Sequence, residues 1–301
     1  MHSEESTRRI AGIGTGRPVR LPEEIFGEVA KRLITEDFVE SANNMTRLKL
    51  AGHSAKDAVE KSEAGTFHTR INRLGNTSKA LFEAAIPSEG FSANPDLRQG
   101  AATATLRAFA IAPTLPFQTR TRKTALVDRI LDLPNAGKQL AAISAITKHL
   151  QVLAPEDRDR LIDRAIFHFE REGAQGSVRN YAARILATNH STLSSELRTR
   201  VLNARNSNPE LAAAYATAEE VARFLETQPA PTVYRSDRSA DENIEIIQRE
   251  TASCLGNAAL SSKQRMEKIE SIANATTEAS EKSRAELMSA TRPRRQYDAG
   301  R

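Results

Sequence analysis

Apolar residues recur every three to four positions along most of the chain, the spacing that places them on one face of a helix. Ile25, Val29 and Leu33 stand at i, i+4 and i+8, and Phe26 and Ala30 widen the stripe. They follow Leu21-Pro22, and proline suits a first helical position because it has no N–H to leave unpaired. Glu23 and Glu24 then fall in the positively polarised first turn. Thr35-Glu36-Asp37 breaks the pattern, and Val39, Ala42, Met45 and Leu48 predict a second amphipathic helix. Ser54 with Asp57 predicts a capping box for a third. Phe67, Ile71, Leu74, Ser78, Leu81 and Ala85 define a fourth, which Pro87 and Gly90 stop. The pattern marks an N-terminal helical module over 21–90. Residues 1–20 mix charge, glycine and Ser/Thr without periodicity and read as a flexible leader.

Between 94 and 231 the helical pattern repeats. Leu126-Val127-Asp128-Arg129 recurs after 35 residues as Leu161-Ile162-Asp163-Arg164, and more loosely after a further 40 as Val201-Leu202-Asn203-Ala204. Between the copies Leu140, Ile143, Ile146 and Leu150 form one apolar stripe, and Tyr181, Ile185 and Leu186 begin its counterpart. Pro134 and Pro155 punctuate the joins. Each unit reads as an α-hairpin whose single apolar face cannot be buried alone, so neighbouring hairpins are expected to stack into a short solenoid. A non-repeating helical bundle is the alternative. After Pro229-Ala230-Pro231, C-terminal helices are expected across 239–291, the first through Ile244 and Ile247, the second through Met266, Ile269, Ile272, Ala273 and Leu287. The second is rich in Ala, Ser and Glu, and its thin apolar stripe predicts only partial order. Beyond Arg292-Pro293 a disordered tail is expected.

Composition agrees with an all-α fold class: an N-terminal helical module, a short α-solenoid of hairpins, and a C-terminal helix with a basic tail. Hydrophobic residues make up 39% of the 301, enough to build a core, yet aromatics are only 5% and the apolar positions are mainly Ala and Leu. No apolar run approaches the roughly 18 residues of a membrane span, and the first residues lack the apolar core of a secretory signal. The expectation is synthesis as a soluble cytoplasmic protein. Cys254, the sole cysteine, has no disulfide partner and reads as a small helix-packing residue. Six cations against two acids over 282–301 account for four of the five net positive charges, so the folded body is nearly neutral. Such a body lacks the broad cationic footprint of a phosphate-binding surface, and direct nucleic-acid binding is not expected of it.

Catalysis needs groups that converge, and the pattern offers none. His2, His53, His68, His149, His168 and His190 have no metal-ligand spacing. Gly12, Gly14 and Gly16 form a G-x-G-x-G run, but no strand precedes it and Arg17-Pro18 follows in place of a helix start. Arg158-Asp159-Arg160 with Asp163 and Arg164 reads as a solvated helix face laced by i, i+4 pairs. The reading is a non-enzymatic protein without metal or cofactor. Its rivals are a nucleic-acid-binding or protein-interaction scaffold that works through the basic tail 284–301, and an enzyme such as a modifying transferase whose site is hidden in the helical repeats.

One resemblance sharpens this. LPEEIFGEVAKRLITEDFVESANNMTRL, residues 21–48, resembles an F-box, with a Leu-Pro pair opening a helix, helically spaced apolar residues and an acidic turn. More narrowly, EVAKRL at 28–33, VESA at 39–42, DAV at 57–59 and RAELMSATRPR at 284–294 resemble the VirF-type F-box effectors of Agrobacterium tumour-inducing plasmids. The likeness spans about 21–86 and 281–295 and leaves 94–231 uncovered. It implies that Leu21 and Pro22 anchor the host Skp-type adaptor of an SCF ubiquitin ligase, supported by Ile25, Val29 and Leu33; these five serve equally to hold the N-terminal bundle together. It also implies a type IV secretion signal, R-x(7)-R-x-R-x-R. Arg284, Arg292 and Arg294 match it, while Gln296 takes the last position with Arg295 and Arg301 nearby. A merely solubilising or phosphate-binding tail is the plainer reading of those charges. The implied partners are the secretion coupling protein and target proteins that coat transferred DNA, the single-strand-binding effector and a host nuclear-import protein. The implied route runs from bacterial cytoplasm to plant host cell.

Overall fold

The structure is a computed structural model that describes residues 23–35, 37–86, 104–171, 176–226 and 233–290. The expected leader 1–20, the glycine run and the tail beyond Ala290 lie outside the described residues. Within them the chain forms thirteen α-helices and no strand, so the fold is all-α. None of these helices is long and apolar enough to cross a membrane.

Four helices open the chain: α1 (Glu23–Arg32), α2 (Phe38–Leu50), α3 (His53–Glu60) and α4 (Glu63–Ala85). Asp37 caps α2, its Oδ1 accepting the N–H groups of Val39 at 2.8 Å and Glu40 at 3.0 Å. The fully buried residues of α2 are the predicted Met45 with Phe38 and Ser41, while the predicted Ala42 and Leu48 pack half-buried against the core; the Phe38 ring stacks on Phe117 with centroids 4.8 Å apart. The cap position of α3 is Gly52, two residues before the expected Ser54, and its φ of +153° lets the chain turn sharply out of α2. Along α4 the predicted face is buried as expected, from Phe67 and Ile71 through Leu74 and Leu81 to Ala85.

The repeat region is a stack of hairpins. α5 (Ala104–Ile111) ends in a 3-10 turn over Ala112–Phe117; α6 (Arg120–Leu131) and α7 (Ala136–Ile146) follow, with a 3-10 turn over Thr147–Val152. Next come α8 (Pro155–Glu170), α9 (Gly176–Thr188), a short turn over His190–Thr192, α10 (Ser195–Ser207) and α11 (Pro209–Glu226). Helices α5, α7, α9 and α11 pack in succession as an inner layer, and α6, α8 and α10 neighbour one another as an outer layer. α7 is buried all round from Gln139 to Thr147. Each Leu or Ile closed off in this way contributes about 1.5–3 kcal/mol. Gln139 answers its own burial by donating from Nε2 to the carbonyls of Leu131 and Leu133.

The last two helices, α12 (Ala240–Gly256) and α13 (Ser262–Ala290), return to the start of the stack. Ser239 and Glu242 form a capping box on α12. α13 packs against α4, α5, α12 and the Ala112–Phe117 turn, and so stands ahead of α5 in the inner layer and closes that end. The thin apolar stripe predicted partial order, whereas α13 is one continuous helix. Ala273, Ala275 and Ala279 are buried together with Thr276, Ser280 and Ser283. Their hydroxyls donate to carbonyls one turn back, at 2.8 Å for Thr276 to Ile272 and 2.9 Å for Ser283 to Ala279. With the polar atoms satisfied inside the helix, Ser and Thr act as small packing residues that let α4 and α5 approach closely.

Candidate partner-binding surfaces

Two surfaces emerge from this packing: the cavity where the α1–α2 connection meets the end of α13, and the space along α4 bordered by α2 and α6. Leu21 and Pro22 lie outside the described residues. Ile25 stands on α1 with 42% of its surface exposed. Val29 and Leu33 are half-buried, and among the described side chains of that helix Ala30 enters the core. The end of α1 is fixed through Leu33, whose N–H bonds the Val29 and Ala30 carbonyls and whose own carbonyl accepts Asn44 Nδ2 at 3.1 Å. Thr35 is tied to Ser41, its N–H donating to Oγ at 2.9 Å. The first helix thus turns an apolar side chain outward from a held backbone.

Of the predicted signal residues, Arg284 lies in α13, 2.6 Å from Glu281. Arg292, Arg294, Arg295 and Arg301 lie outside the described residues. Arg284 and Met288 share a cavity of about 460 Å³ with Ile34 and Thr35 of the α1–α2 connection. The structure therefore brings together two segments about 250 positions apart. Arg70 on α4 secures the junction. Its guanidinium meets Asp241 of α12 at 2.7 and 3.0 Å and Glu286 of α13 at 2.6 Å. That guanidinium holds the Asp241 carboxyl below its ordinary range. Arg73 adds a bond to Gln248 at 2.7 Å. Nothing in the local pattern marks Arg70 as a clamp, because its partners are 171 and 216 positions away.

The second surface runs along α4, which borders one cavity with α2 and another with α6. Arg122 spans the gap to Glu83 at 2.5 Å. A cavity of about 230 Å³ lies on one side of this bridge, over Phe38, Ile71 and Phe117. Another of about 330 Å³ lies on the other side, against Phe82, Ile86 and Leu126. The sequence holds one signal for this groove: Gly75, in the middle of a helical pattern where glycine costs about 1 kcal/mol relative to alanine. Around Gly75 no atom outside its own helix lies within 4 Å of where a Cβ would stand.

The dense charge of α8 pairs largely with neighbouring helices, Arg160 bonding Asp128 at 2.8 Å and Asp163 accepting Arg200 at 3.2 Å, with one pair inside the helix, Arg160 to Asp157 at 3.3 Å. The described histidines stay apart, and no group of three His, Cys, Asp or Glu among the described residues could hold a metal ion. His68 bonds Thr46 and Asn72, and burial lowers its pKa. His168 is buried with its Nε2 lacking a partner, and burial lowers its pKa as well. Cys254 is fully buried, its thiol pushed up by desolvation, as befits a packing residue. Compared with family models, curated proteins and solved structures, the chain has no match.

Proposed function

We propose that this chain is a non-catalytic adaptor: a secreted bacterial effector of the F-box kind whose first helix recruits a host Skp-type protein, and whose helical repeats present a target for ubiquitination and degradation. The observation that carries the reading is the outward placement of Ile25 on a helix anchored by Ala30 and Leu33. A buried-surface interface needs such an apolar side chain on a rigid backbone, the arrangement of helix-in-groove docking. The resemblance of residues 21–48 to an F-box supplies the identity of the partner. The likeness of 284–294 to type IV signals supplies the route, from bacterial cytoplasm through a coupling protein into a plant cell during DNA transfer. Target proteins that coat the transferred DNA are the substrates this reading names.

The test is a pull-down of a plant Skp-type protein by the purified chain. Ile25→Asp and the double change Leu21→Ala/Pro22→Ala should each abolish capture. Because Ile25 is exposed, Ile25→Asp should leave the urea midpoint unchanged. Full retention by both variants, or no capture by the unaltered chain, defeats the docking reading. In a transfer reporter assay, replacing Arg292, Arg294 and Arg295 by Ala should block delivery, and undiminished transfer would remove the tail from the account.

A further inference from the structure

We infer that the groove along α4, bordered by α2 on one side of Arg122 and by α6 on the other, is a binding site for an extended acidic peptide that carries two apolar anchors. An Arg–Asp pair joins α6 to α8 and α8 to α10, whereas α4 and α6 border a cavity. At the position equivalent to Arg160 and Arg200 the first repeat has Ala125, which lines the gap without filling it. The two cavities flank Arg122, with apolar walls of Phe38 and Phe117 in one and Phe82 and Leu126 in the other. Lys79, Arg122 and Arg129 line the groove; Arg122 is taken by the one lining carboxylate, Glu83, and Lys79 is the exposed cation. Lys79 makes no ion pair among the described residues. Asn43 and Asn76 are exposed on the rim with side-chain amides that make no hydrogen bond among the described residues, the donors and acceptors an extended backbone requires. Gly75 keeps the first cavity open at the expense of helix propensity, and neither its backbone angle nor packing from another element demands glycine there.

The geometry sets the ligand's spacing. Gly75 in one cavity and Phe82 and Ile86 in the other are separated along α4 by about 10–16 Å at 1.5 Å per residue. That matches about four residues of extended chain at 3.3 Å each. The peptide class is therefore an apolar residue, three residues rich in Asp or Glu, and a second apolar residue. This assigns the target-recognition chemistry of the proposed adaptor, and on that reading alone rests the word target. Occupancy of the groove involves neither α1 nor a Skp-type protein.

The test uses the full chain and fluorescein-labelled GSLDEELGS, with GSLKKKLGS and GSSDEESGS as controls for charge and anchors. Fluorescence anisotropy should show binding of the first peptide alone, weakened about tenfold or more by Gly75→Met and by Lys79→Glu. Nitrogen-15 spectra should show the side-chain amides of Asn43 and Asn76 shifting on titration. No binding of the LDEEL peptide, equal binding of either control, or displacement by a single-stranded oligonucleotide at equal concentration overturns the inference. So does unaltered affinity in a folded Gly75→Met. Should that variant fail to fold, the amide shifts decide: changes at Asn43 and Asn76 uphold the site, and changes confined elsewhere overturn it. Since the assay contains no Skp-type protein, its failure is distinct from failure of the docking reading.

Discussion

Arg160 reaches from α8 to Asp128 on α6 at 2.8 Å, and one repeat later Arg200 makes the same reach to Asp163 at 3.2 Å. Both arginines directly precede the repeated motif, and both aspartates are its third residue, so the pair marks the register of the stack. The ladder ends where its residues end, at Ala125 in the first unit and Asn203 in the last. All four side chains are close to half exposed, and solvent screening limits what they contribute. Arg160→Ala should cost about 0.5–1 kcal/mol in urea unfolding, and a double-mutant cycle with Asp128→Ala should return a coupling of similar size. A coupling above about 2 kcal/mol would mean the pair specifies the stack more strongly than its exposure allows.

Two glycines in one helix should respond oppositely to the same change. At Gly65 an added methyl would overlap the Val59 carbonyl oxygen and press on Glu60 Cα, backbone atoms that cannot swing away. Gly65→Ala should cost about 2 kcal/mol or more, since α3 and α4 must part to admit it. At Gly75 the same methyl meets open space, and Gly75→Ala should raise stability by about 0.5–1 kcal/mol. Thermal melts of the two variants check both signs at once.

Lys123 is the buried counterpart of the surface ladder. Its side chain is 4% exposed, and Nζ donates to Asp37 Oδ2 at 2.7 Å and to the Val152 carbonyl at 2.9 Å. Since Asp37 also caps α2, one carboxylate ties the N-terminal module to the first hairpin. Lys123→Ala should cost about 2–4 kcal/mol, at the lower end because Asp37 is 30% exposed and regains water. Asp37→Asn keeps a capping oxygen and should lose the ion pair but not the α2 start. Hydrogen exchange at Val39 and Glu40 separates the two roles: protection should survive Asp37→Asn and fall in Asp37→Ala.

The difference between these cases explains what the sequence disclosed. Helix periodicity is a local signal, so α4 with its Phe67–Ala85 face and the 35-residue recurrence of Leu-Val-Asp-Arg were legible before any coordinates. The order of α13 was not, because between Ile272 and Leu287 its buried surface is made of Ala, Ser and Thr, whose hydroxyls look polar until each is bonded within its own helix. The Ser54 cap misled because Gly52 could take a backbone angle that starts α3 earlier. Arg70, Lys123 and the groove along α4 depend on residues far apart in the chain, and no periodicity reports such meetings. Ile25 sits between these extremes: its helix was legible, but which face turned to solvent depended on Ala30 packing into the core.

Acid should loosen the stack through His149. This side chain, in the Thr147–Val152 turn, has its pKa lowered to about 4 by burial and by the neighbouring Lys148. A histidine that is neutral in the fold and ordinary in the unfolded chain contributes stability fully above about pH 6.5, because protonation there favours neither state. As pH falls from about 6.5 to about 4 the unfolded chain binds the proton first, and that stability is lost. The loss is at most about 3 kcal/mol, and less to the degree that the half-buried residue keeps water. His68 and His168 are shifted the same way and steepen the fall. Glu270 and Glu278, raised by burial, act in the opposite sense near the carboxylate range. Urea midpoints should therefore drop between about pH 7.5 and about pH 5, above the range where the two glutamates compensate. His149→Gln removes the titrating group and should flatten that slope. An unchanged slope in His149→Gln would show that the ring is already hydrated in the folded protein and that the burial of this turn is shallower than its packing implies.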